Sequence, residues 1–250
     1  AIREIGKFYM SGTNEQISMH FETTIDLRLE QVDALVHTIP PERADDAAKL
    51  REDLQFHAQA RGFEYLAFYT GDGSFDMIYG ESVELMNPDL FLKSMNNKEN
   101  KVAAAVNAGG DKIVLLGVSA NYPLGDGKES IALVAGLSAD YIGELLSLDQ
   151  TNAMAFSHVI NKDGVFVIRN GGAFRENYFD RIMNTYLELD GKTAEQYVRE
   201  LKDAIAVDED YSSVFRVDEE RRYLYASPLP DSEWYLITVM PFGTLDETIN

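Results

Sequence analysis

The first forty residues constrain the fold most, because their apolar residues recur every three or four positions. No proline interrupts this segment between Arg3 and Ile39, so the pattern predicts one long α-helix. At 1.5 Å per residue such a helix would be roughly 55 Å long, whereas a small domain is about 30 Å across. We therefore expect it to pack against two domains. Its apolar stripe consists of Phe21, Ile25, Leu29, Val32, Val36 and Ile39.

Two similar halves follow the helical part of the chain. Each half begins with two strand-like segments around a glycine turn, Gly71-Asp72-Gly73 in the first and Lys162-Asp163-Gly164 in the second. Each then continues with helical periodicity and three more strand-like segments. Phe91–Asn96 also matches Phe179–Asn184 in residue type at four of six positions. The pattern indicates a divergent duplication and an α+β fold with two antiparallel sheets of about five strands.

The periodicity divides the chain into four parts. Residues 1–62 are the N-terminal helical spine, with a second helix that Pro41 is expected to open. Residues 63–150 and 151–243 are the two sheet modules. Residues 244–250 have the capping-box spacing of a helix that is starting, and the chain begins within a helical pattern. We therefore interpret the sequence as an excerpt from a longer protein.

Composition narrows the class of partner. The chain carries 22 Lys and Arg against 42 Asp and Glu, a net charge of −20, which disfavours binding to nucleic acid or to an anionic membrane surface. It has no cysteine, so disulfides and thiolate chemistry are excluded. No apolar run approaches the roughly 18 residues that a membrane-spanning helix needs.

Motifs for catalysis or cofactor binding are missing from the sequence. The four histidines are far apart and have no metal-ligand spacing, and there is no phosphate-binding glycine loop or nucleophile motif. Asp and Glu pairs lie in polar surface-like stretches. These observations predict a non-catalytic domain without a metal or cofactor. A hydrolase with an acidic site stays open as an alternative, and it would require carboxylates buried together in one cleft.

Two stretches resemble a known family. His158–Ile168 is similar to its opening of two strands around a D/K-x-G turn. Ala226–Leu229, Glu233–Leu236 and Val239–Pro241 resemble its "S-P-L … x-W-Y-L … V-x-P" ending. With the long helix and the tandem modules, they resemble the double Cache (dCache) sensors, whose two modules are PAS-like. The resemblance implies an extracytoplasmic small-molecule sensor domain of a bacterial membrane receptor, with a histidine kinase or diguanylate cyclase (GGDEF) output, or of a chemoreceptor.

The resemblance also implies where a ligand binds and how the receptor assembles. The ligand would occupy the membrane-distal module, here the first, and flanking transmembrane segments outside this chain would anchor a homodimer. The residues of the long helix add a second apolar face around Ile2, Ile5 and Tyr9, through which we expect two copies to pair. The Arg-x-Trp-Tyr cluster of amino-acid-binding members is replaced by Lys93–Asn97, and Gly136–Ser138 stands where their Asp would be. We therefore do not expect an amino-acid ligand.

Polar and aromatic residues near the strands of the first module are the candidate ligand contacts. They are Tyr79, Asn107, Ser119, Tyr122 and Ser138. The alternative from another class is a ligand-free structural, dimerisation or protein-interaction module with the same fold.

Overall fold

The N-terminal segment forms the long helix that its periodicity predicts. The computed structural model describes residues 2–43, 46–148, 155–169, 176–185, 191–217 and 220–241. Helix α1 is Ile2–Thr38 and ends before the Pro40-Pro41 pair. Phe21, Ile25 and Val32 are buried as expected, but Leu35 is fully buried where Val36 is only half-buried. Near the end of the helix the buried position is therefore one residue earlier than predicted. A helical period of 3.6 residues allows this shift.

The second helix starts later than Pro41 suggested. Pro41–Arg43 forms a short 3₁₀ turn, and α2 is Ala47–Ala60. Asp46 caps α2, because its side chain accepts hydrogen bonds from the backbone N–H groups of Ala48 and Lys49. The capping carboxylate, rather than the proline, thus sets the first residue of the helix.

A six-stranded antiparallel sheet follows, in the order β2-β1-β8-β5-β4-β3. The edge strand β3 has only three residues and was not predicted, and β5 ends at Ser119. A separate small hairpin, β6 and β7, lies between β5 and β8. The strands are β1 Tyr65–Tyr69, β2 Phe75–Tyr79, β3 Val83–Leu85, β4 Lys101–Asn107, β5 Lys112–Ser119, β6 Pro123–Gly125, β7 Lys128–Glu129 and β8 Ala132–Ser138.

Helix α3, Pro88–Asn96, covers one face of this sheet. Asn87 caps the helix and Pro88 occupies its first turn, where a missing N–H has no cost. Phe91 and Met95 lie directly over Gly117 of β5: a Cβ at Gly117 would be 2.9 Å from Phe91 Cζ and 2.8 Å from Met95 Sδ. Only a residue without a side chain lets α3 approach the sheet this closely.

The second module repeats the plan. After α4, Ala139–Leu145, five antiparallel strands pair in the order β10-β9-β13-β12-β11, and α5 and α6 contribute to a common core on one face. A capping box formed by Thr193 and Gln196 starts α6. The elements are β9 Phe156–Asn161, β10 Phe166–Ile168, α5 Tyr178–Thr185, α6 Ala194–Ala206, β11 Tyr211–Val217, β12 Glu220–Pro228 and β13 Trp234–Pro241.

A buried polar network joins α1 to the other face of the second sheet. Asn14 Nδ2 donates to Ser227 Oγ (2.9 Å) and to the carbonyl oxygen of Leu236 (3.4 Å), while Asn14 Oδ1 accepts from the Thr238 hydroxyl. Ser157 Oγ lies 2.8 Å from Thr238 Oγ1. These four polar side chains are at most 8% exposed, so their hydrogen bonds favour one register of the helix on the sheet.

Contacts divide the chain into two compact units. One is Thr23–Tyr141, and the other combines Ala1–Glu22 with Ile142–Asn250, so α1 contributes residues to both. Within the second of these, Trp234 is 4% exposed and lies 5.9 Å from the Phe21 ring, as expected for a core residue. The predicted module boundary at 150/151 and the helix start at 244–250 lie outside the described residues. Among the described helices, none is long and apolar enough to cross a membrane.

Removing the Asn14 amide should destabilise the protein. We expect Asn14→Ala to lower the free energy of unfolding by about 1–3 kcal/mol, because it leaves buried hydroxyl and carbonyl groups without partners. Gln16→Ala, at an exposed position of the same helix, should change it by less than about 0.5 kcal/mol. Urea unfolding followed by circular dichroism measures both. Equal stabilities of the two variants would contradict the role of the network.

A side chain at Gly117 should displace α3. We expect Gly117→Ala to cost about 1–3 kcal/mol through overpacking against Phe91 and Met95. Gly12→Ala is the matched control: nothing lies within 4 Å of the added Cβ, and replacing glycine inside an exposed helix should stabilise by up to about 1 kcal/mol. Thermal unfolding measures both variants: the unfolding temperature should fall for Gly117→Ala and rise for Gly12→Ala.

Candidate functional site

The side of the first sheet that α3 covers is the candidate site, and we call it the α3 face. Side chains alternate between the faces of a strand, so every second residue of β1 to β5 and β8 belongs to it. Apart from α3 itself, its buried members are mostly small or aromatic. They are Tyr65, Ala67, Tyr69, Ala105, Ile113, Leu115, Ala132 and Val134, with Phe75, Met77, Val83, Leu85 and Ala103 partly buried around them.

An aromatic cluster occupies the β1 side of the α3 face. The Phe75 ring lies between two tyrosines, 6.1 Å from Tyr65 and 5.0 Å from Tyr69. Tyr69 in turn meets Phe91 of α3 edge-on at 5.0 Å. Edge-to-face contacts of this kind fix the ring planes, so the direction of each phenol hydroxyl is set by packing.

Both tyrosine hydroxyls in this cluster are buried without a hydrogen-bond partner among the described residues. Tyr65 is 2% exposed and Tyr69 is fully buried. Burial raises the pKa of Tyr65 far above its ordinary value, and burial together with the charge of Asp72 raises the pKa of Tyr69 to about 12. The two groups therefore stay protonated and are available as hydrogen-bond donors. Buried hydroxyls are normally paired, so two unpaired ones on one face indicate a place for an acceptor.

Charged side chains are almost absent from the strand positions of the α3 face. Lys101 is the only one in the described strands, and its neighbour in register is Gly117, which Phe91 and Met95 cover. The described strand positions of the face therefore offer neither a guanidinium to bind a carboxylate nor a carboxylate to bind an ammonium group. Chemically it offers apolar surface and hydroxyl donors.

Three of the five sequence candidates lie on the α3 face by strand register. Ser138 pairs with Ile113, Asn107 with Val83, and Ser119 with Ala132. Two already have local roles: Ser138 Oγ accepts from the Tyr141 N–H (3.4 Å) and Asn107 Oδ1 from the Asp111 N–H (2.9 Å). These residues lie near the ends of their strands and could only contribute at the rim.

The other two candidates have tyrosine hydroxyls used within the fold. Tyr79 donates to the carbonyl oxygen of Phe63 (2.7 Å). Tyr122 lies beyond the end of β5, packs 5.2 Å from Phe68 on the opposite face of the sheet, and donates to the carbonyl oxygen of Ile39 (2.7 Å). The expectation that Tyr122 faces the same pocket is therefore corrected, because its hydrogen bond joins the sheet region to the end of the N-terminal helical segment.

The sequence candidates omitted the residues that define the face. Tyr65, Tyr69 and Phe75 lie in the aromatic-rich segment from Phe63 to Tyr79, and strict alternation along β1 places Tyr65 and Tyr69 on one side. That signal was available in the sequence. The lack of a hydrogen-bond partner for their hydroxyls was not.

Two open grooves lie in the unit that contains the second module, and both have charged rims of mixed sign. One, of about 430 Å³, runs between α5 and α6 beside Met183 and Lys202, and the other, of about 280 Å³, is bordered by Lys7 and Tyr223. Neither contains a buried acid, and no Asp or Glu is buried among the described residues. The buried carboxylates that an acidic hydrolase requires are therefore not found in the described part of the chain.

The fold is that of known receptor sensor domains. The ligand-binding domain of the Pseudomonas fluorescens chemoreceptor CtaA, in complex with L-isoleucine, has a TM-score of 0.67 at 16% identity, over 99% of this chain and 97% of that one. The corresponding domain of the Pseudomonas aeruginosa amino acid chemoreceptor PctB, with L-Arg, has a TM-score of 0.61 at 13% identity, over 95% and 96%. The extracellular domain of the putative histidine kinase mmHK1S-Z2 has a TM-score of 0.63 at 8% identity, over 96% of this chain and 98% of that one.

Sequence comparison adds no closer relative: no family model matches the chain, and no curated protein is similar to it. The structural similarity covers nearly the whole chain and confirms the α+β fold with a long N-terminal helix and two tandem PAS-like modules.

Proposed function

We propose that this chain is the extracytoplasmic sensor domain of a membrane-bound signalling receptor and that it binds a small molecule on the α3 face. The observation that carries the proposal is the pair of buried hydroxyls of Tyr65 and Tyr69, which have no hydrogen-bond partner in the described part of the chain. The first module, residues 63–150, is then the membrane-distal one, as the resemblance to dCache sensors implies.

The chemistry of the face defines the ligand class. A buried polar group without a partner costs about 1–3 kcal/mol, and an acceptor atom of a ligand would recover that cost at each tyrosine. Because both phenols stay protonated, the ligand has to supply acceptors. The surrounding rings and aliphatic side chains favour an otherwise apolar molecule. We therefore propose an uncharged ligand with hydrogen-bond acceptors.

The structural neighbours support the sensing role. The PctB and CtaA structures are chemoreceptor domains in complex with amino acids, and the third is the extracellular domain of the putative histidine kinase mmHK1S-Z2. We transfer to this chain the role of binding a small molecule outside the cytoplasm, and not the amino-acid ligand, because the strand positions of the α3 face lack both charged anchors.

Signalling requires that the ligand bind one arrangement of the domain more tightly than another. A coupling free energy of about 1–3 kcal/mol is typical and would bias a kinase or cyclase dimer. A ligand-free structural module of the same fold is the competing proposal, and it has no use for unpaired hydroxyls on the α3 face.

A homodimer is the second part of the proposal. Ile5, Phe8 and Met19 are 45%, 84% and 62% exposed, and with Gly12 they recur every three, four or seven residues along α1. This spacing places them on one side of the helix, where a second copy could bury them. Tyr9, expected on this face, instead packs in its own chain against the cluster of Met10 and Val214, and the side chain of Ile2 lies outside the described residues.

Removing the Tyr65 and Tyr69 hydroxyls should not lower the stability of the ligand-free protein. We expect the Tyr65→Phe and Tyr69→Phe variants to unfold at the same or a higher temperature than the wild type, because no hydrogen bond is lost. In the control variant Tyr122→Phe, the free energy of unfolding should fall by about 1 kcal/mol, because the wild-type hydroxyl donates to a buried carbonyl. Differential scanning calorimetry without ligand measures all three.

A thermal-shift screen of uncharged metabolites and of amino acids then tests the ligand. A sensor gains stability as RT ln(1 + [L]/Kd) with at least one compound, and the Tyr65→Phe and Tyr69→Phe variants should gain less with that compound. Stabilisation by amino acids alone would overturn the ligand class and leave the sensing role intact. A screen without any hit would favour the ligand-free module.

Cysteine cross-linking tests the dimer. Because the chain has no cysteine, Phe8→Cys introduces a single thiol at the centre of the exposed apolar face. In the membrane-bound receptor we expect oxidation to join two copies through this position. Lys7→Cys, about 100° around the same helix, is the matched control and should cross-link much less. Equal cross-linking of both positions, or of neither, would contradict pairing through this face.

A further inference from the structure

Three aromatic rings in the second module pack around a buried histidine. His158 of β9 is 1% exposed, and its ring lies 5.3 Å from the ring of Phe166, 5.7 Å from that of Phe156 and 6.3 Å from that of Tyr178. In the sequence, His158 is one of four histidines that lie far apart. The fold places it under α5, on the helix-covered face of the second sheet.

The imidazole of His158 orients an arginine. Arg181 of α5 lies with Nη1 3.1 Å from His158 Nε2. Burial and the nearby charges of Arg181 and Arg169 lower the pKa of His158 to about 3, so the ring is neutral at physiological pH. Nε2 is then the acceptor and the guanidinium the donor. One of the terminal nitrogens of Arg181 is thereby held, while Nη2 and Nε have no hydrogen bond among the described residues.

Positive charge predominates among the described residues that act on His158. Arg169 lies over the Phe166 ring at 5.1 Å and pairs with Glu176 at 2.7 Å. Arg181 is half-buried, and no Asp or Glu of the described residues lies within 4 Å of its guanidinium. Two cations therefore act on the same buried ring, and one of them, Arg169, pairs with a carboxylate. A half-buried guanidinium without a carboxylate is unusual in a chain that carries twenty more acidic than basic residues.

We propose that the second module has its own site for a small organic monocarboxylate, bound by the Nη2 and Nε edge of Arg181. A guanidinium edge with two parallel N–H groups matches the two oxygens of a carboxylate. A single negative charge matches the one guanidinium, Arg181, that has no carboxylate partner among the described residues, and a dianionic phosphate would exceed it. His158 is a positioning residue, because it holds the plane of the guanidinium and does not itself contact the ligand.

The internal repeat shows that this site is distinct from the α3 face. The Asp163-Gly164 turn corresponds to Asp72-Gly73, and both glycines have positive φ, 88° and 85°. His158 precedes Gly164 by as many residues as Ala67 precedes Gly73, so the two residues occupy equivalent positions in the two modules. The same sheet position thus carries a methyl group in one module and an arginine-bound imidazole in the other, so the two modules select different chemistry.

Titration with simple carboxylates tests the proposal on the whole chain. Acetate, propionate and benzoate are compared with acetamide, propionamide and benzamide at matched ionic strength, by thermal shift and by the ¹⁵N chemical shifts of the His158 ring. We expect at least one carboxylate, and no amide, to raise the unfolding temperature and to shift the His158 resonances. Arg181→Gln should weaken the apparent affinity at least tenfold, and Arg181→Lys should weaken it less.

Control variants distinguish binding at Arg181 from binding elsewhere on the chain. Arg199→Gln, at an exposed arginine on α6, should bind as the wild type does. If Arg181→Gln does not fold, two measurements still test binding at Arg181. They are the carboxylate affinity of Arg181→Lys and the carboxylate-induced shifts of the His158 resonances in the wild type. A response to phosphate but to no carboxylate, an unchanged response in Arg181→Gln, or no response at all would each overturn the proposal. Loss of the carboxylate response in the Tyr65→Phe and Tyr69→Phe variants would show that the carboxylate binds on the α3 face instead. The proposal for Arg181 would then be wrong, and the proposed sensing function would stand.

Discussion

Burial of one face of α1 is the interaction on which the rest of the structure depends. Val32 and Leu35 are fully buried within the unit Thr23–Tyr141, while Met10 and Phe21 are buried in the unit that contains the second module. An antiparallel sheet that is covered on one side only leaves its other apolar face in water, so each sheet needs a second layer. The helix is continuous through both sets of contacts because nothing breaks it before Pro40.

The two modules share a scaffold but not an interior. Both place two strands and a glycine turn at one edge of an antiparallel sheet and cover one face with short helices. In the first module, that face carries protonated phenols and apolar side chains. In the second, it carries a neutral imidazole that holds a guanidinium. Because specificity resides in such side chains and not in the fold, one duplicated scaffold can present two ligand chemistries.

Much of the fold could be predicted, since it depends on local patterns. Strand-like segments on both sides of the glycine turns predicted the two hairpins that open the modules. Prediction failed where the pattern ended. Tyr122 lies just after the last residue of β5, where alternation no longer indicates a face, and its side chain packs on the α1 side. The edge strand β3 is too short to show a period of its own.

The sequence by itself determined the long helix, the longer strands and the glycine turns, because capping, periodicity and glycine conformation act over a few neighbouring residues. Only the tertiary structure decided which polar atoms would lack partners and which charges would meet. Tyr65 and Tyr69 need Phe91 of α3 and the neighbouring strands around them before their hydroxyls are closed off from water. His158 and Arg181 are 23 residues apart and meet because α5 packs on β9. Pairing between distant segments controls hydrogen bonding and charge balance, and local sequence patterns do not specify it.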